Sequence, residues 1–262
     1  MRRFRLEAVL VVLLVAALAL ALVLRGITGT PAADPGDAET SDPLGQPTPC
    51  IPALLGQPIP GPAAAEADVG SVAPIIEEIR ELTFEEEPEP VYLAPGPLRE
   101  RVAEMVDETD DRLEIQGRLL IELGALPEEL HLGRAVENLL GEQVAGFYDP
   151  ETDELVVSAG AAEGGLSTTE LLALVHELEH ALADQRLGIP DLEALNEEDQ
   201  DAASAAQSLV EGDAQLTTEI YAARSLSPAD QLAAVGQEAP GLGGIPHYLA
   251  RSLLFPYVEG AR

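Results

Sequence analysis

Residues 167–188 carry the start and stop signals of one long helix. Ser167 stands at an N-cap position with Glu170 three residues on, the spacing at which each side chain can bond the other's backbone N–H. Gly188 marks the end, two residues before Pro190, which cannot continue a helix. About six turns lie between these limits. On them His176 and His180, two of the chain's four histidines, fall one turn apart on the same face, so their imidazoles can converge on one point. A tetrahedral zinc needs that geometry from two of its ligands. Glu177 adjoins His176 and can reach a water on such an ion without displacing either histidine, which suits it to act as general base. The plain alternative is a pair of helix-surface histidines with Glu177 and Glu179 as solvated neighbours.

The flanking pattern is helix-rich with one change of period. "APIIEEIRELTF" has helical spacing, "PVYLA" reads as a short strand, and "LRERVAEMVDETDDRLEIQGRLLIELGAL" returns to helical spacing. A second, short helix is expected to start at Pro127, proline being tolerated in a first turn. Then two apolar runs, residues 144–148 and 154–158, flank the turn-forming Asp149-Pro-Glu-Thr-Asp153 and predict a β-hairpin just before the histidine-bearing helix.

The N-terminal part cannot join this domain in the same way. Arg2, Arg3 and Arg5 precede an unbroken apolar run over residues 8–24, closed by Arg25, and residues 1–25 therefore read as an uncleaved membrane anchor. The arginine excess on its N-terminal side keeps the tail in the cytoplasm and sends the remainder outside, as a single-pass, extracytoplasmic protein of the cell membrane. Residues 26–70 are too dense in proline and glycine for a lasting helix or central strand and read as a tether, leaving residues 71–262 as the domain. The acidic "FEEEPEP" reads as a solvated turn. The chain is lysine-free, and its net charge of -33 repels phosphate backbones, which excludes nucleic acid as a partner. A single cysteine, Cys50, allows no intrachain disulfide, so a core or a metal must hold the fold. The last apolar segment, "IPHYLARSLLFPYVEGAR", reaches Arg262 without a polar tail, an ending expected of a domain incomplete at its C-terminus.

A catalytic zinc takes three protein ligands and leaves one position for water. His176 and His180 supply two, and a carboxylate is expected as the third. Glu197, Glu198, Asp199 and Asp201 cluster in "NEEDQD", which reads as the exposed start of a helix. Glu211 follows the less polar "AASAAQSLV", with Gly212 removing bulk beside it, while Glu259 remains an alternative in a second "VEG". Asp184 continues the histidine face by one more turn and can orient a ligand. Asp213, two residues after Glu211, points to another side of its helix, toward a partner elsewhere or toward solvent. Tyr148, Tyr221, His247 and Tyr248 can each donate a proton to an oxyanion, and spacing selects none of them.

"HELEHALADQ" and the later "SLVEGDAQ" resemble the zincin-like metallopeptidases of gluzincin type, in which a glutamate on a following helix is the third protein ligand. "GFYDPETDELVV", "HELEHALADQ" and "LVEGDA", in that order, are similar to a group of uncharacterised bacterial envelope metallopeptidases. The likeness spans roughly residues 71–262, with a gap of 30 residues between His180 and Glu211 that is longer than in thermolysin-like enzymes. The resemblance implies an α+β, helix-rich zincin-like domain whose hairpin offers its edge strand to an extended peptide or protein substrate. It also implies one Zn2+ on His176, His180 and Glu211, with Glu177 as the catalytic base of peptide hydrolysis. The competing expectation is a non-catalytic envelope binding protein whose zinc is structural or absent.

Overall fold

The computed structural model describes residues 57–106, 110–135, 145–158, 165–231 and 247–261. The expected membrane anchor, Cys50 and the first part of the tether lie outside them. Among the described residues no helix is long and apolar enough to cross a membrane.

The fold is α+β and helix-rich. Helices α1 (Val69–Arg80), α2 (Pro95–Val106), α3 (Asp110–Glu122), α4 (Thr168–Leu187), α5 (Leu192–Glu198), α6 (Gln200–Ser225) and α7 (His247–Gly260) accompany one small sheet of β1 (Val91–Leu93), β2 (Gly146–Asp149) and β3 (Glu154–Ser158). The expected hairpin is β2–β3, paired antiparallel with Phe147 opposite Val156 and Asp149 opposite Glu154. Its turn is held by the Asp149 carboxylate, which accepts from the Glu151 N–H and the Thr152 hydroxyl. The short strand β1 adds in parallel to the other side of β3, so the order is β1-β3-β2 and β2 is an edge.

Helix α4 is the centre of the molecule. The Ser167–Glu170 capping box is present and Gly188 ends the helix with φ 79°. Its apolar residues occupy nearly every side, and an unbroken run of residues 171–182 is buried. Such a helix has no solvent face. It packs on α1, on β2 and β3, and on α6, with Val72, Ile76, Leu155, Val157, Leu171, Leu174, Val175, Leu178 and Tyr221 in one core cluster. Full burial of each leucine or valine contributes about 1.5–3 kcal/mol, well above the few tenths that separate helix propensities. Packing therefore decides the placement of α4.

Two boundaries differ from the sequence reading. The segment before residue 71 already packs: Ala64 and Val69 are buried, Asp68 caps α1, and the Ile59 N–H donates to the Arg224 carbonyl at 3.1 Å. A proline-rich stretch that cannot form a helix can still lie extended against one. At the expected helix over residues 127–142, residues 127–130 form a turn closed by Leu130 N–H to Pro127 carbonyl, and helical residues begin at Leu132. The next turn's Ala135 N–H bonds the His131 carbonyl, so the helix is entered five residues late.

Candidate metal centre

Helices α4 and α6 bring three expected side chains together. The Nε2 of His176 lies 3.3 Å from Glu211 Oε2, and the Nε2 of His180 lies 3.6 Å from the same oxygen. One nitrogen or oxygen from each residue falls within 4.8 Å of the others. The two imidazoles stand edge to face with centroids 4.7 Å apart, as side chains one turn apart must when both point inward. All three residues are 1% exposed.

The donor set fits a metal ion. Ligand atoms about 2.0–2.2 Å from a tetrahedral ion lie roughly 3.3–3.6 Å from one another, the range of the two contacts on Glu211. His180 Nε2 and Glu211 Oε1 are buried and have no hydrogen-bond partner among the described residues. Burying such atoms unpaired is unfavourable, and a bound cation would satisfy them.

The charges respond to burial first. Desolvation holds His176 below the ordinary histidine range, against the pull of Glu211. At His180 burial opposes the charged ring, yet Glu211, Glu177 and Glu179 push it up to about 9. Burial works against the Glu211 carboxylate as well, and the two histidines still hold it below the usual glutamate range.

Glu177 lies beside the cage and under β2. It is 3% exposed, and burial raises it to about 8 against the pull of His180. Its Oε2 has no partner among the described residues. The strand's phase explains this meeting. Ser158 N–H donates to the Ala145 carbonyl, so residues 145, 147 and 149 bond to β3 and the backbone groups of Gly146 and Tyr148 face away from it. A Cβ at Gly146 would stand 3.3 Å from Glu177 Cγ and 2.8 Å from the Val156 carbonyl oxygen, so glycine permits the close approach. A cleft of about 240 Å³ opens from His180 and Glu211 between Tyr148, Ile189, Leu192 and Val210.

The remaining expectations divide. Glu197, Glu198, Asp199, Asp201 and Glu259 are exposed and take no part in the cage, and Asp199 caps α6 by accepting from the Asp201 and Ala202 N–H groups. Gly212 meets α7 and not α4: its Cβ would fall 2.1 Å from the Gly260 carbonyl carbon. Asp184 does not orient a histidine. Its carboxylate accepts from the Tyr148 hydroxyl at 3.0 Å and the Ile189 N–H at 2.8 Å, because the chain turns back past it at Gly188. The Tyr148 hydroxyl is shared with Asp153 at 3.1 Å, and burial with these two acids raises its pKa far above the ordinary tyrosine range. Tyr221 is a core residue whose hydroxyl burial pushes up to about 12. The His247 and Tyr248 side chains lie outside what the structure describes.

Arg80, Glu179 and Tyr257, near the cage, escaped the sequence reading. Asp213 finds its partner elsewhere in Arg80, whose two terminal nitrogens each lie 2.5 Å from one of its oxygens. The Arg80 Nε pairs with Glu179 at 3.2 Å, and Glu179 is 0% exposed, not a solvated neighbour. Tyr257 of α7 stacks on His176 with centroids 6.1 Å apart. The all-round apolar pattern of α4 was the available signal for Glu179, since an acid on a fully buried helix needs a cation, and in a lysine-free chain that points to arginine.

No protein-family model, curated protein or solved structure matches the chain.

Proposed function

We propose that the protein is a zinc-dependent peptidase of zincin-like type that works on extended peptide substrates. The observation that carries this reading is the buried convergence of His176, His180 and Glu211 beside an acid, Glu177, that does not join them. Two imidazoles and one carboxylate form a donor set suited to zinc. Three protein ligands next to a cleft favour a catalytic site over a structural one, which usually closes with four.

When bound, zinc supplies Lewis-acid activation of water and of a substrate carbonyl. The chain's own residues do the rest. Glu177 takes the proton of the attacking water and hands it to the leaving amine, and the close approach of Gly146 keeps its side chain under β2. The outward backbone groups of Gly146 and Tyr148 offer an extended peptide a strand to pair with, which aligns its carbonyl over Glu177. The burial of Glu177 keeps bulk water from competing for its proton. By the charge pattern of residues 1–25 the domain belongs on the outer side of a cell membrane.

Glu177→Gln tests the division of labour. Zinc stoichiometry is expected to match the wild type, while hydrolysis of a peptide library falls by a factor on the order of 10² to 10⁴. Zinc loss along with activity would make Glu177 a ligand or structural residue. Zinc uptake by a wild-type chain that cleaves no peptide would favour the binding protein with a structural metal.

A further inference from the structure

The Arg80 cluster is built unlike an ordinary ion pair. Glu179 lies between the two histidines of α4 in sequence, is 0% exposed, and neither of its oxygens accepts a hydrogen bond among the described residues. Its Oε1 is 3.2 Å from Arg80 Nε, and its Oε2 is 4.0 Å from His180 Nδ1. The guanidinium's other two nitrogens engage both oxygens of Asp213, two residues beyond Glu211 on α6. One side chain of α1 thus reaches both helices that carry the cage.

A buried carboxylate bonded this incompletely lowers stability compared with an uncharged side chain of the same shape. Its placement calls for a gain elsewhere, and the imidazole supplies the reason. His180 turns Nε2 toward Glu211, so its Nδ1 points toward Glu179. A ligating histidine that gives its other N–H to a carboxylate is fixed in tautomer and orientation and becomes a better donor.

We propose that Arg80 and Glu179 are positioning residues of the metal centre: Arg80 ties α1 to α4 and α6 and holds the Glu179 carboxylate on the Nδ1 side of His180, 4.0 Å from that nitrogen, where its charge favours the proton on Nδ1 and leaves Nε2 free to ligate. This rests on the reading of His176, His180 and Glu211 as metal ligands. It makes α1 part of the metal centre, although no residue of α1 reaches the cage.

The test measures zinc affinity by chelator competition on the full chain in detergent, the visible spectrum after cobalt loading, and the metal-free melting temperature. Glu179→Gln is expected to weaken zinc binding at least about tenfold and to shift the cobalt bands, while a cooperative melt of the metal-free protein shows that the fold is kept. Arg80→Met is expected to weaken zinc at least as much. Arg80→Lys recovers only part, because one ammonium cannot reach both helices. If Arg80→Met does not fold, the near-isosteric Glu179→Gln decides alone. Wild-type zinc affinity and cobalt spectrum in Glu179→Gln would reduce the cluster to a structural ion pair and overturn the proposal while leaving the metal centre standing. A wild-type chain that binds no zinc, or a His176→Ala chain that binds it equally well, would overturn the metal-centre reading and this inference with it.

Discussion

Two of the polar clusters on helix α4, one turn apart, are completed to different degrees. At Asp184 both oxygens accept hydrogen bonds, from Tyr148 and from the Ile189 N–H, and the cluster closes the corner where the chain leaves the helix. One turn earlier, His176, His180 and Glu211 are more deeply buried, yet His180 Nε2 and Glu211 Oε1 have no hydrogen-bond partner among the described residues. Burial of polar groups is thus common to both clusters and distinguishes neither. Unmet bonding capacity does: the Asp184 cluster is saturated by protein atoms, and the cage is arranged for an ion.

That contrast is most open to attack at Glu211. Glu211→Ala is expected to abolish both zinc binding and hydrolysis. Zinc at about 100 times its Kd would raise wild-type stability by about 2.7 kcal/mol, a melting shift of about 5 to 11 °C for a domain of this size, and would leave Glu211→Ala unmoved. Full zinc occupancy in that variant after dialysis against a weak chelator would remove Glu211 from the site.

Gly146→Val comes next in size. The added side chain presses on Glu177 and on the Val156 carbonyl, so turnover should fall about 10- to 100-fold while zinc stoichiometry stays at the wild-type value. Unchanged turnover would show that the approach of β2 to Glu177 is irrelevant to catalysis.

At the saturated cluster the sign of the effect moves from metal to fold. Asp184→Ala should cost about 1 to 3 kcal/mol of stability and retain zinc, as read by denaturant unfolding and metal analysis. Zinc loss there at unchanged stability would erase the distinction between the clusters. The smallest effects belong to Glu198→Ala and Glu259→Ala, both at exposed positions, where zinc stoichiometry and melting temperature should stay at wild-type values.

The sequence by itself determined what lies within a few turns of one helix. Ser167, Glu170 and Gly188 delimit α4 because caps act through bonds to residues three or four positions away. The four-residue spacing of His176 and His180 puts them on one side because the helical repeat is local geometry. The hairpin was legible for the same reason, through alternation and the turn residues between Asp149 and Asp153. Only the tertiary structure decided which acid meets the histidines, since Glu211 arrives from 31 positions after His180 through the crossing of two helices. It also joined β1 to β3 across more than 60 residues, and set Arg80 against Glu179 and Asp213 from 99 and 133 positions away. Those meetings depend on how buried faces pack. A pattern read along the chain records that a face is apolar, or that an acid on it needs a partner, and packing alone selects the element that supplies one.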